Sequence, residues 1–193
     1  MRLLESADAE ELFALIDANR EYLARWMPFV GQTRSVADSL GFILAARRQY
    51  DENRGLQMAI LCGERIVGVA GFHRIDWTTR STSIGYWLAE ADQGAGTMTF
   101  AVRALVDYAF RVLRLERIEI RAGTGNERSR AIPARLGFHE EGVVRAAERI
   151  GSRVVDHVIY AITGREWLAY RPSWDGTGRV RAQPASSLAE HAL

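Results

Sequence analysis

The chain contains no lysine; all 25 of its cationic side chains are arginine. That absence removes Schiff-base chemistry, a pyridoxal phosphate anchor and a phosphate loop of the G-x-x-x-x-G-K type. Cysteine is nearly absent too. The lone Cys62 excludes an internal disulfide and any zinc site built on paired cysteines. Just before Gly63-Glu64, it reads as a small buried or half-buried apolar residue rather than a nucleophile. No run of about 18 uncharged apolar residues occurs, so no segment is expected to span a membrane. The amino terminus lacks the basic stretch and apolar segment of a secretory signal, and a cytoplasmic protein is expected. A net charge of +1 gives no case for wholesale nucleic-acid binding.

What is present is a chain of 193 residues, 48% apolar, enough for one good core. One domain over residues 1–170 is expected. From residue 171 to 193, Pro, Gly, Ser, Ala and charge without periodicity predict a loosely held tail. Arg2-Leu3-Leu4-Glu5 can start a strand. Asp8 and Glu11 have capping-box spacing ahead of an amphipathic helix carrying Leu12, Phe13, Leu15 and Ile16. Tyr22, Leu23, Trp26, Met27 and Phe29 form an apolar cluster that reads either as packing between helices or as the wall of a substrate pocket. A second helix is predicted from Ser35 to about Tyr50. Met58–Leu61 and Ile66–Phe72, joined through Cys62-Gly63-Glu64-Arg65, read as a hairpin. Asp76–Arg80 is a turn.

The stretch from Ile84 to Phe138 organises the rest. Ile84-Gly85-Tyr86-Trp87-Leu88 has strand composition. Gln93-Gly94-Ala95-Gly96-Thr97-Met98 follows, with two glycines that let backbone amides approach a ligand closely. From Met98, the apolar residues Ala101, Val102, Leu105, Ala109 and Val112 keep helical spacing. Ile118–Ala122 alternates again as a strand. The loop therefore stands where a strand hands over to a helix, a place suited to a phosphate or pyrophosphate. A dinucleotide-binding fold is disfavoured. Thr99 stands where the third glycine of its fingerprint belongs, and no acidic residue falls at a strand end about 20 residues on. After this unit, His139–Val144 reads as a short strand and Val154–Ile162 as a long one, and Trp167 closes the folded unit. The order gives an α/β (α+β) fold with helices on both faces of a mixed sheet.

In these segments the chain resembles the GNAT acetyltransferases, and within them the RimJ/RimL-like branch. Gln93–Met98 is similar to the signature Q/R-x-x-G-x-G/A, with Met98 departing at the last position. Ile84–Leu88 resembles the family's fourth strand, and Asn126–Phe138 its N-x-x-S…LGF segment. Arg145-Ala146-Ala147-Glu148 is similar to the stretch that holds a glutamate in RimL-like enzymes. The resemblance covers roughly Arg2 to Leu168.

It implies a mostly antiparallel sheet splayed between its fourth and fifth strands, with acetyl-CoA as co-substrate, no metal and a homodimer. Pyrophosphate would sit on the amides of Gln93, Gly94, Ala95, Gly96, Thr97 and Met98. Backbone groups of Trp87 and Leu88 would pair with the pantetheine arm, and Asn126 and Ser129 would border the thiol. An amide of the strand would stabilise the thioester oxyanion. Glu148 would be the general base, with an exposed glutamate paired to Arg145 or Arg149 as the alternative. Ser129 would donate a proton to the thiolate, or a water would do so; it could equally cap the helix over Arg130–Leu136. His73 is a candidate auxiliary base, and His157 reads as packing in its strand. Arg128 and Arg130 could meet coenzyme A phosphates or be solvated.

An α-amine is neutral in roughly a tenth of molecules at pH 7, a lysine amine in about one in 2,500, so the α-amine needs far less help from a base. The expected acceptor is a protein's terminal α-amine or an aminoacyl small molecule, in a pocket shaped by Tyr22–Phe29 and Asp76–Arg80. Polyamine or aminoglycoside acetylation is the second enzyme reading, favoured by a pocket with several carboxylates. A coenzyme A-binding sensor without turnover is the reading from another class.

Overall fold

Seven strands pair into one sheet in the order β1-β2-β3-β4-β5-β7-β6. In the computed structural model, which describes residues 1–169, they are β1 Arg2–Leu3, β2 Leu56–Cys62, β3 Arg65–Phe72, β4 Ser81–Leu88, β5 Arg117–Gly123, β6 His139–Ile150 and β7 Arg153–Thr163. The expected tail over 171–193 lies outside the described residues. Neighbouring strands run antiparallel except β4 and β5, which are parallel. A parallel pair cannot be joined by a hairpin, so the chain crosses between them through a helix.

Helices cover both faces. Helix α1 (Ala9–Ala18), the single turn α2 (Arg20–Leu23) and α3 (Val36–Asp51) precede the hairpin; α4 (Thr97–Arg111), α5 (Glu127–Arg135) and α6 (Gly164–Ala169) follow. Leu12 and Ile16 of α1 and Ile43 of α3 pack on Ala59, Ile66 and Val69. On the opposite face Met98, Val102, Leu105, Val106 and Phe110 of α4 pack on Phe72, Ile84, Leu88, Ile118 and Ile120. Each large side chain so buried contributes about 1.5–3 kcal/mol relative to exposure, so α4 is the helix most firmly held. It ends at Arg111, leaving Val112 exposed rather than on the apolar face. Trp167 of α6 closes the same core and donates Nε1–H to Asp107 at 2.9 Å. Among the described residues no helix is long and apolar enough to cross a membrane.

Several local expectations change. Ser35 caps α3 as expected, accepting the Asp38 N–H. Asp8, however, pairs back to Glu5, accepting its N–H at 2.8 Å, while the Glu11 carboxylate takes the Ile66 N–H at 2.6 Å and ties α1 to β3. Cys62 is exposed at the hairpin end, not buried. The Asp76–Arg80 turn shapes no pocket near the glycine loop. It precedes β4, whereas the loop follows it, which puts about 20 Å of strand between them at ~3.3 Å per residue. The strand beginning at His139 is not short; it runs through a bulge to Ile150.

The Arg2–Asp8 pair pins the amino terminus. Arg2 forks onto both Asp8 oxygens at 2.6 and 2.7 Å, and Asp8 is 6% exposed. The guanidinium holds the Asp8 carboxyl below its ordinary value despite burial. A carboxylate with a lowered folded-state pKa adds stability above its unfolded value and loses it as pH falls through the folded one. Asp8→Asn should therefore destabilise the fold by about 1–3 kcal/mol near neutrality. In urea melts the gap to the parent should shrink at about pH 3; a pH-independent gap would contradict this reading.

Candidate active site

The ladder between β4 and β5 runs from Ser81↔Arg117 to Ile84↔Ile120 and stops there. Beyond that point β4 continues to Leu88, still paired with β3, and β5 continues to Gly123, still paired with β7. The two strands part while each stays held on its far side, and this is the splay that the family resemblance implies. The free edge of β4 follows from alternation. His73 N–H donates to Ser83 C=O and Ala89 N–H to Val67 C=O, both at 2.9 Å, so odd-numbered positions of β4 spend their backbone groups on β3. Tyr86 and Leu88 turn their amides and carbonyls into the gap. Trp87 does not. Its backbone pairs with Val69, so it cannot grip a ligand in the splay by main-chain bonds as expected, whereas Leu88 can.

The glycine loop stands at the same end of β4. Gly94 and Gly96 have φ of +87° and +82°, conformations that favour glycine, and residues 94–96 are exposed. The first bond of α4 runs from Phe100 N–H to Gly96 C=O at 3.0 Å, which leaves the amides of Thr97, Met98 and Thr99 without intrahelical acceptors. These amides and the helix dipole suit an anion. Gln93 links the surrounding elements. Its Nε2 donates to Tyr22 Oη at 2.6 Å and to Leu88 C=O at 3.4 Å, and its Oε1 accepts from Arg128 at 3.0 Å. Arg128 is thus beside the loop. Arg130 is turned away and committed to Tyr160, Thr124 C=O and Glu140.

On the α4 face, α5 brings Ser129 to the gap. Asn126, not Ser129, caps this helix: its Oδ1 accepts the Ser129 N–H at 3.2 Å. The Ser129 hydroxyl donates to Tyr86 Oη at 3.3 Å, and Tyr86 Oη–H donates to Ser129 C=O at 3.1 Å. From the sequence alone Tyr86 reads only as a strand residue, with no role beside Ser129. The signal was the period-two pattern of β4, which sends positions 84, 86 and 88 to one face. Burial pushes the Tyr86 phenol above its ordinary range, so it stays protonated as an anchor.

The opposite face carries different chemistry. Gly123 and His157 are ladder partners, and Val155, two residues before His157, faces Glu148; the three side-chain positions share this face. Glu148 Oε2 lies 3.4 Å from His157 Nε2, so its partner is neither Arg145 nor Arg149. His73 covers Gly85 on this face, where an added Cβ would stand 2.6 Å from its Nε2. Trp87 packs on Phe29 with ring centroids 6.1 Å apart. The Trp26 ring lies over Gly123 and Gly125, 3.3 and 3.5 Å from where their Cβ atoms would be. Arg153 donates to Arg25 C=O at 2.6 Å, so the segment carrying the aromatic cluster reaches the β6–β7 hairpin. Ser129 and Glu148, the two candidate catalytic groups, therefore stand on opposite faces of the splay with separate partners.

This arrangement has close counterparts. Residues 1–139 match the family described as acetyltransferase (GNAT) domain. The Bacillus subtilis protein named "Putative ribosomal N-acetyltransferase YdaF" is 39% identical over 169 residues, 86% of this chain and 92% of that protein. The Escherichia coli ribosomal-protein-serine acetyltransferase is 29% identical over 154 residues, 78% of this chain and 84% of that one. Mycobacterium smegmatis RimJ in complex with CoA-disulfide superposes with a TM-score of 0.81 at 28% identity, covering 86% of this chain and 81% of RimJ. Microcin C7 self-immunity acetyltransferase MccE, in complex with acetyl-CoA and AMP, gives 0.79 at 29% identity, covering 83% and 89%. With the splay, the glycine loop and these relatives in agreement, the chain belongs to the GNAT acetyltransferases, RimJ/RimL-like branch, and is an acetyl-CoA-dependent N-acetyltransferase.

Proposed function

We propose that the enzyme acetylates an α-amine, at a protein amino terminus or on an aminoacyl small molecule, by direct transfer from acetyl-CoA. The observation that carries this reading is the division of the splay between two faces. Exposed amides for a diphosphate lie toward α4, and an aromatic wall with the Glu148 carboxylate lies on the other side. The diphosphate would rest on the amides from Gly94 to Met98, and the pantetheine arm would lie along the backbone groups of Tyr86 and the Leu88 N–H. The acceptor would enter from the opposite face, against Trp26, Phe29 and Trp87.

In this reading the amine nitrogen attacks the thioester carbon, the C–S bond breaks, and the nitrogen gives its proton to Glu148, directly or through water. The departing thiolate takes a proton from Ser129 or from water. Tyr86 holds Ser129 in place, which keeps its hydroxyl near the gap. The charge of the acceptor face favours aminoacyl groups over polyamines. Glu119 is already neutralised by Arg117 at 2.9 Å and Arg121 at 3.0 Å, so it offers little to a second ammonium group. Relatives named for acetylating ribosomal proteins support a protein terminus, and the MccE complex, which holds AMP with acetyl-CoA, supports a small-molecule acceptor as the other member of the class.

Glu148→Gln should lower kcat by about 10²-fold with the KM for acetyl-CoA near the parent's, as expected of an acid–base group. Unchanged kcat across the pH range would remove Glu148 from the chemistry. Gly96→Ala places a side chain at positive φ, a strain of about 1–2 kcal/mol, and should raise the KM for acetyl-CoA up to about tenfold while changing kcat little. A normal KM would mean that the loop does not hold the diphosphate. An acceptor screen by mass spectrometry, with peptides, aminoacyl compounds and polyamines, should find the acetyl gain on α-amines. Coenzyme A binding with no acetylated amine would favour the sensor reading instead.

A further inference from the structure

We propose that His157 is a positioning residue for the Glu148 carboxylate: with its proton on Nε2 it holds Oε2, leaving Oε1 to receive the amine proton. This rests on the reading of Glu148 as the base. A glutamate on an edge strand has three free side-chain torsions, and a base must be held near its target to work. Two features of the chain supply that hold.

The first is a bulge. Val144 pairs with His157 and Glu148 with Val155, so two β7 steps face four β6 steps, and residues 145–147 leave the ladder. Bulges recur beside active sites because they re-aim a side chain. Here Ala146 takes φ of +52°, uncommon for a residue with a Cβ, and its N–H donates to Asp156 Oδ1 at 2.7 Å. Asp156 also accepts the Thr124 N–H on its own carbonyl at 2.9 Å. The residue before His157 is therefore tied to both flanking strands, which fixes where the imidazole starts from.

The second is the imidazole itself. Its side chain is 15% exposed, between Gly123 of β5 and Val144 of β6, while the Glu148 side chain is 33% exposed. A held ring meets a carboxylate that still reaches solvent and the acceptor. The nitrogen–oxygen separation of 3.4 Å is short enough to tighten into a hydrogen bond. The sequence alone suggests only that His157 packs in its strand; the bulge is what brings Glu148 to it.

The test compares two polar replacements in the full-length enzyme. His157→Gln keeps an N–H donor about where Nε2 stands, whereas His157→Asn keeps one nearer the backbone, out of reach of Glu148. With an acceptor found by the screen, His157→Asn should lower kcat about tenfold or more at unchanged KM for acetyl-CoA, and His157→Gln should stay within about threefold of the parent. In the Glu148→Gln background His157→Asn should cost nothing further. Melting temperatures separate position from folding: a purely structural His157 would give Gln and Asn variants equal in kcat and lowered in stability. Equal kcat for the two variants, or additive losses with Glu148→Gln, would overturn the proposal while leaving Glu148 as base. Should Glu148→Gln itself keep full activity, the reading beneath it fails, and that outcome is visible without any His157 variant.

Discussion

Parallel pairing of β4 and β5 is the constraint from which the rest follows. A parallel neighbour cannot be reached by a hairpin, so α4 must carry the chain back along the sheet. That crossover puts the start of α4, with its unsatisfied amides, at the end of β4. The ladder between the two strands ends after Ile84 and Ile120. A helix amino terminus and an open strand edge thus come to the same place. Gly94 and Gly96, both at positive φ, let the chain turn into the helix with its amides outward.

The parting of the strands costs backbone hydrogen bonds, and the surroundings limit that cost. Only Tyr86 and Leu88 lose strand partners, since Gly85 and Trp87 stay paired with β3 to the end of β4. Gln93 covers the Leu88 carbonyl with its amide, while Ser129 and Tyr86 satisfy one another across the gap. Meanwhile α4 buries Met98, Val102, Leu105 and Val106 against the strands just before they diverge, which keeps the opening local. On the opposite face β5 presents Arg117, Glu119, Arg121 and Gly123, and the aromatic segment before α3 reaches across to Arg153. Two approaches to one gap, of different polarity, are what a two-substrate transfer requires.

Much of this was legible in the residues. The three-and-four spacing from Met98 and the alternation over Ile118–Ala122 are local patterns, and the strand–loop–helix unit followed from them. The family resemblance added the splay. What was not legible depends on partners distant in the chain. Trp87 and Leu88 look alike as strand residues, but only pairing with β3 decides which one has free backbone groups. Tyr86 meets Ser129 from 43 residues away. The run Arg145–Glu148 offers two arginines as partners for the glutamate, yet a bulge held by Asp156 turns it to His157. Asp76–Arg80 reads as a turn beside the central strand, and only the strand's direction reveals that it lies at the wrong end. The family match over residues 1–139 stops before Glu148 and His157; resemblance to RimL-like enzymes singles out Glu148, and the geometry adds its pairing with His157.

The central claim is that the open edge of β4 binds the pantetheine arm as a strand would. Residue-resolved amide hydrogen exchange, with and without saturating coenzyme A, tests it most directly. Gly85 and Trp87, already paired with β3, should exchange slowly in both states, while Tyr86 and Leu88 should become protected only when coenzyme A is bound. Protection that leaves Tyr86 and Leu88 unchanged while coenzyme A is bound would contradict the account.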